Sequence, residues 1–142
     1  NGCLETIASA TGIVRIATSK LQDTAINSEL KDIYHSEGVI TAKHVFDCAG
    51  NNDQVALDVI EEVSFHLGLA LANIANTLNP EKIVIGGGVS KAGDLLLSSI
   101  KNYFDQYSFP RVKESTNMAI ATLGNDAGVI GAAWLIKNTI VK

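Results

Sequence analysis

The sequence predicts a helix-rich α/β fold with a short parallel βαβ unit, and three observations carry this prediction. An apolar, β-branched run at residues 82–85 ends in three consecutive glycines, and a second apolar run spans residues 118–123. A helical pattern over residues 95–107 lies between the two runs. Two strands joined through a helix form a parallel pair with a right-handed crossover, so both strands should end at the same edge of the sheet.

The remainder of the chain is predicted to be mostly helical. Residues 5–20 show a helical recurrence that Gly12 interrupts, which predicts two short helices or one bent helix. Residues 108–117 are polar and contain Pro110, so they are predicted to form a loop. Residues suited to N-caps precede the predicted helices at Ser9 or Thr11, in the stretch 27–29, at Thr41, at Asp53 and at Asp94.

The longest predicted helix follows Asp53 and ends before residues 79–80, an Asn-Pro pair. Its polar face nearly disappears from Phe65 onward, which indicates burial in the middle of a larger body. Gly68 would allow a close neighbour there. His66 stands alone among apolar residues, which is more typical of a core or interface histidine than of a ligand. Where this face is not covered, we expect self-association or exposed apolar surface.

The composition excludes several classes of protein. With 142 residues, of which 46% are hydrophobic and 18% charged, the chain can form one domain with a core. Its net charge is −4 and its basic residues are scattered, so no nucleic-acid interface is expected. The apolar stretch at 65–78 is interrupted and falls short of the roughly 20 residues of a membrane span. Cys3 and Cys48 are too few for a disulfide framework, which favours a reducing compartment and a cytoplasmic location.

The glycine run is the strongest functional signal in the sequence. Gly86, Gly87 and Gly88 place no Cβ at the carboxyl end of a strand, so either a ligand lies against the backbone or the next helix packs closely. A Walker A loop is excluded because Val89 follows the last glycine, and the dinucleotide fingerprint fails at its third glycine. A second glycine-bearing loop at 124–128 would open at the same edge, which favours a nucleotide held by backbone contact with its adenosine end.

Three stretches of the sequence form a pattern together. They are Gly-Cys-Leu-Glu at 2–5 with Ala-Ser-Ala-Thr-Gly at 8–12, the run 79–90 that contains the three glycines, and Gly-Asn-Asp-Ala-Gly-Val-Ile-Gly-Ala-Ala at 124–133. In this order and spacing they resemble the C-terminal half of the ROK-family sugar kinases, and closely the glucokinases among them. The resemblance implies a ribonuclease H-like fold, similar to actin and hexokinase. Residues 1–142 would then be a partial C-terminal lobe that lacks the upstream lobe and part of the sheet.

The resemblance implies transfer of the γ-phosphoryl group of Mg-ATP to the 6-hydroxyl of glucose, the first step of glycolysis. The family's catalytic aspartate is expected upstream, so no catalytic residue is assigned here and the chain alone is expected to be inactive. Glucose and ATP would be the partners, and a homodimer is expected. Two alternatives stay open: the sugar-sensing lobe of a ROK-family transcriptional repressor, and a stand-alone helical interaction module. The preferred hexose, and ATP or polyphosphate as donor, also stay open.

The same resemblance assigns roles to individual residues. Glu5 matches a glutamate that hydrogen-bonds sugar hydroxyls, although an acidic residue in a first helical turn is also favoured by the helix dipole. Cys3 matches the last of three cysteines that hold a structural Zn²⁺ with a histidine, and the other three ligands would precede residue 1. The glycines at 86–88 match the adenosine loop. Gly124 and Asn125 lie where the other wall of the nucleotide site would be.

Overall fold

The structure is a computed structural model that describes residues 3–22, 26–87 and 93–140. Its helices and strands follow one another along the chain as α1 (Glu5–Ala8), α2 (Ala10–Leu21), α3 (Glu29–Glu37), α4 (Ala42–Gly50), α5 (Gln54–Leu78), β1 (Lys82–Ile85), α6 (Gly93–Tyr107), α7 (Pro110–Ser115), β2 (Asn117–Ile120), a short 3₁₀ helix (Gly124–Asp126) and α8 (Ala127–Ile140).

Side-chain caps start four of these helices, as the sequence predicts. Ser9, Ser28, Thr41 and Asp53 each accept a hydrogen bond from the backbone N–H three residues further on. An N-cap satisfies one of the backbone donors that the first helical turn leaves without a partner. Of the two candidates near the chain start, Ser9 is the cap, and its extended backbone separates α1 from α2.

Helix α5 is the centre of the fold. It packs against α6 along one face and against α1, α2 and α4 along others. Gly68 makes the α6 contact possible, because a Cβ there would lie 2.4 Å from the Cβ of Tyr103 and 2.9 Å from the carbonyl oxygen of Ile100. The predicted close approach at Gly68 is confirmed.

The prediction that α5 is buried from Phe65 onward holds only in part. Ala72 and Ala75 are fully buried, whereas the side chains of Ile74 and Leu78 are 50% and 70% exposed. The reason is that α6 covers one side of this half of the helix and leaves the other open. No helix in the described ranges has the length and apolarity needed to cross a bilayer.

The two strands form the predicted parallel pair. Ile85 lies opposite Ile120, and the backbone N–H of Ala121 donates to the carbonyl of Ile85 at 2.8 Å. At the other end, the buried hydroxyl of Thr116 donates to the carbonyl of Pro80 at 2.7 Å and fixes where the strands begin. The parallel βαβ unit is therefore confirmed.

Three local predictions for this unit are wrong. Residues 110–115 form α7 instead of a loop, because Pro110 occupies the first helical turn, where its missing N–H costs no hydrogen bond. Helix α6 begins at Gly93, so Asp94 is not its N-cap and lies inside the first turn. The second strand ends at Ile120, and residues 121–123 instead lead into the 3₁₀ helix.

Candidate functional site

A shallow concavity lies beside Glu5. It has a volume of about 320 Å³ and is lined by Glu5, Thr6, Ser9, Thr11, Gly12 and Arg15. Glu5 is the first residue of α1 and is exposed. A carboxylate accepts hydrogen bonds from two adjacent hydroxyls, and hydroxyl side chains can donate or accept beside it. The lining therefore suits a polyhydroxyl ligand.

Two members of this concavity, Thr6 and Arg15, were not predicted from the sequence, and they contact each other. The Nη2 atom of Arg15 donates to the carbonyl oxygen of Thr6 at 3.0 Å, across nine residues of sequence. Arg15 is exposed, as a single basic residue on an amphipathic helix usually is, so the sequence carried no signal for this contact. The contact depends on how α1 folds back against α2.

The chain segments that follow the two strands lie side by side at the carboxyl edge of the sheet. Gly86 directly follows β1, and a Cβ there would lie 3.4 Å from the Cβ of Ala121, which follows β2. Gly87 has φ +80° and Gly124 has φ +55°, and within the described ranges no atom beyond the chain neighbours lies within 4 Å of a Cβ built at either position. Glycine takes such a conformation without strain and carries no side chain over the backbone.

Of the predicted nucleotide residues, Gly86 and Gly87 follow β1 directly, and Gly124 begins the 3₁₀ helix that follows β2 after three residues. All three are exposed, and the backbone of Asn125 lies in the same 3₁₀ helix. Gly88 lies outside the described residues. The concavity beside Glu5 contains none of these glycines, so the chain presents two separate candidate surfaces.

Cys3 lies in a different concavity of about 250 Å³, with Leu4, Ile7, His66 and three further residues of α5. Its thiol is free and exposed. Across the described ranges no group of three or more His, Cys, Asp or Glu side chains could hold a metal ion. A structural Zn²⁺ needs four ligands, so these residues do not fit one by themselves. His66 is half-buried, with its ring edge-on to Phe65 at 5.1 Å.

A third concavity, of about 350 Å³, lies between α5 and α6 and contains Glu61. The Glu61 carboxylate accepts hydrogen bonds from the hydroxyls of Tyr103 and Ser99. The hydrogen bond to Glu61 raises the pKa of Tyr103, because losing the phenolic proton would break it. These bonds link α5 to α6 and give the concavity a structural role.

The fold and the two surfaces define an α/β protein whose glycine-bearing segments follow the carboxyl ends of two parallel strands. The sequence model of the ROK family matches residues 1–139, so the chain belongs to the ROK family. It is 57% identical to a glucokinase of Halalkalibacterium halodurans over 136 residues. That match covers 96% of this chain and 41% of that protein.

Two further relatives show the range of proteins that share this sequence and fold. The DNA-binding transcriptional repressor Mlc of Escherichia coli is 32% identical over 140 residues, which are 99% of this chain and 33% of Mlc. The crystal structure of a ROK family glucokinase from Streptomyces griseus, in complex with glucose and AMPPNP, superimposes with a TM-score of 0.80 and 30% identity. That match covers 95% of this chain and 44% of the other.

The comparisons confirm the predicted family and fold class. The chain is a helix-rich portion of the actin-like ATPase fold, with two parallel strands. It spans about two fifths of the length of the glucokinases it matches.

Proposed function

We propose that this chain is the C-terminal portion of an ATP-dependent glucokinase, which transfers the γ-phosphoryl group of ATP to the 6-hydroxyl of glucose. The observation that carries the proposal is the 57% identity to a glucokinase across 96% of the chain. The similar structure in complex with glucose and AMPPNP supports the same substrates.

In this proposal Glu5 holds the sugar and the glycine edge holds the nucleotide. The exposed Glu5 carboxylate accepts hydrogen bonds from two hydroxyls of the hexose and so fixes the direction of the 6-hydroxyl. Gly86, Gly87 and Gly124 present backbone without side chains to the adenosine, and Asn125 follows Gly124 in the 3₁₀ helix. Gly88, the next residue of the sequence after Gly87, takes part in this proposal as well.

The reaction needs more than this chain. The bond from the γ-phosphorus to the bridging oxygen of ATP breaks, a bond to the hexose 6-oxygen forms, and ADP leaves. The hydroxyl proton goes to an aspartate that we place outside these residues. Mg²⁺, when bound, neutralises charge on the phosphates. Cys3 would supply one of four Zn²⁺ ligands in the complete protein. The complete protein would be a cytoplasmic homodimer.

The test of the sugar role is Glu5→Gln in the complete protein that contains this chain. Losing the charge weakens two hydrogen bonds to the hexose, so the KM for glucose should rise about ten- to hundredfold, with little change in the KM for ATP. Glu37→Gln, a matched change at an exposed position on α3, should leave both values unchanged. An unchanged KM for glucose in Glu5→Gln removes Glu5 from the site.

The test of the nucleotide role is Gly87→Val, which puts a β-branched side chain where the nucleoside would lie. Gly38→Val is the matched control, because Gly38 also has positive φ, +74°, and open space around a built Cβ. Both changes strain the backbone, and only Gly87→Val should raise the KM for ATP. Equal kinetics in the two variants would return the glycine loop to a packing role.

One observation favours a second candidate function. The similarity to the repressor Mlc covers 99% of this chain, so the chain is also compatible with the sugar-sensing lobe of a ROK-family regulator. The two functions are distinguished by glucose-dependent formation of ADP from ATP against sequence-specific DNA binding by the complete protein. Polyphosphate in place of ATP tests the phosphoryl donor in the same assay.

A further inference from the structure

Glu5 lies on a helix that is too short to hold its own orientation. Helix α1 has four residues. A single helical turn is unstable by itself, because the entropy lost in fixing its dihedral angles exceeds the stabilisation from its few hydrogen bonds. The direction of the Glu5 carboxylate must therefore come from contacts between α1 and the rest of the chain. The junction with α2 and the packing of α1 on α5 supply them, and the junction lies beside Glu5.

Gly12 lets the backbone of α1 lie directly on α2. A Cβ at Gly12 would be 2.5 Å from the carbonyl oxygen of Ile7 and 2.7 Å from that of Thr6. Both are backbone atoms, which cannot swing aside as the end of a flexible side chain can. The Ser9 hydroxyl, between the helices, accepts the N–H of Gly12 at 3.0 Å and fixes the bend.

Arg15 joins the two helices one turn further along α2. The guanidinium donates to the Thr6 carbonyl, which belongs to a helix whose last carbonyls have no partner within the helix. The Arg15 side chain lines the same concavity as Glu5.

We propose that Arg15 is a positioning residue for sugar recognition. Its guanidinium clamps α1 onto α2 across Gly12 and so holds the Glu5 carboxylate in the orientation that accepts the hexose hydroxyls. Arg15 acts through α1 and does not itself contact the reacting atoms. The inference rests on the proposed sugar-binding role of Glu5.

The test is Arg15→Gln in the complete protein, measured by steady-state kinetics beside Arg15→Lys and Glu5→Gln. Arg111→Gln, at the exposed arginine of α7, is the matched control. Arg15→Gln should raise the KM for glucose about three- to tenfold and leave the KM for ATP unchanged, because one charge-assisted hydrogen bond is lost. Arg15→Lys keeps a charged donor and should recover most of the loss, and Arg111→Gln should match the unchanged protein.

The pattern of constants separates positioning from plain destabilisation. If Arg15 only stabilises the fold, its loss lowers kcat through a smaller active fraction and leaves both KM values unchanged, and that result overturns the inference. If Glu5→Gln has no effect on the KM for glucose, the proposed function fails instead. If Glu5→Gln raises it and Arg15→Gln does not, only the positioning role is lost.

Gly12→Ala tests the same junction from the opposite side, should Arg15→Gln not fold. The added methyl must push α1 away from α2, because the nearest atoms are backbone. We expect the same signature, a raised KM for glucose with an unchanged KM for ATP. An unchanged KM for glucose in a folded Gly12→Ala protein overturns the inference.

Discussion

Helices α5 and α8 are both rich in apolar residues, yet α5 is packed among other helices and α8 is largely exposed. Nine of the 25 residues of α5 are buried, and four other helices pack against it. Helix α8 contacts mainly the 3₁₀ helix that precedes it, and Trp134 and Leu135 are 64% and 61% exposed. An apolar helix therefore becomes core only where the same chain supplies neighbours, and α8 has few of them here.

The largest expected difference in the free energy of unfolding is between the loss of a buried aromatic side chain and the loss of an exposed one. Phe104, on α6, is fully buried against α5, so Phe104→Ala should lower the free energy of unfolding of the chain by about 3–5 kcal/mol. Trp134→Ala on α8 removes a side chain that is already mostly in water and should change it by less than about 0.5 kcal/mol. Denaturant unfolding of the 142-residue chain measures both.

The same pair of variants in the complete protein sharpens the comparison. If residues outside this chain cover α8, Trp134→Ala becomes costly there while remaining neutral in the chain alone. An equally small effect in both settings would show that α8 stays exposed. A large loss in the chain alone would contradict the exposed position of Trp134.

A smaller effect on the free energy of unfolding is expected when one glycine in α5 and one in α8 are each replaced by alanine. Gly68→Ala pushes a Cβ against the backbone of α6 and should cost about 1–3 kcal/mol of unfolding free energy. Gly131→Ala on α8 meets no atom of another part of the described chain within 4 Å and should stabilise the chain by up to about 1 kcal/mol, because alanine favours the helix. Thermal unfolding of the two variants gives the signs, and a Gly68→Ala change that does not destabilise the chain would contradict the close contact of α5 with α6.

The smallest expected difference is in the chemical reactivity of two thiols, Cys48 in the helical core and Cys3 beside α1. Burial, with a smaller contribution from Glu29, raises the pKa of Cys48 from 9.0 to about 11, whereas Cys3 is exposed. A thiol-specific reagent at pH 8 should therefore label Cys3 at once and Cys48 only when the chain unfolds. Rapid labelling of both thiols in the folded chain would contradict the buried position of Cys48.

The raised pKa of Cys48 also predicts a pH dependence of stability. The folded chain holds the thiol proton more tightly than the unfolded chain does. The contribution of this thiol to the free energy of unfolding is therefore complete below pH 9 and is lost as the pH rises toward 11. Unfolding measured from pH 8 to 11 should show this decline, and Cys48→Ala should reduce it.

The sequence determined the local structure and the family of this protein. The caps at Ser9, Thr41 and Asp53 and the apolar period of α5 depend on neighbouring residues, so they could be predicted from the chain alone. The parallel pairing of two strands follows from a general rule of handedness. The sugar and nucleotide residues were found only through their resemblance to a family, and their roles remain proposals.

Only the tertiary structure decided which surfaces meet. The contact of Arg15 with the Thr6 carbonyl and the seat of α1 on Gly12 join residues whose spacing carries no period. The exposure of α8 could not be predicted either, because an apolar helix has the same sequence pattern whether or not it finds a neighbour. Capping and periodicity depend on residues a few positions apart, so the sequence alone determines them. Packing depends on residues that are distant in the sequence, so only the tertiary structure determines it.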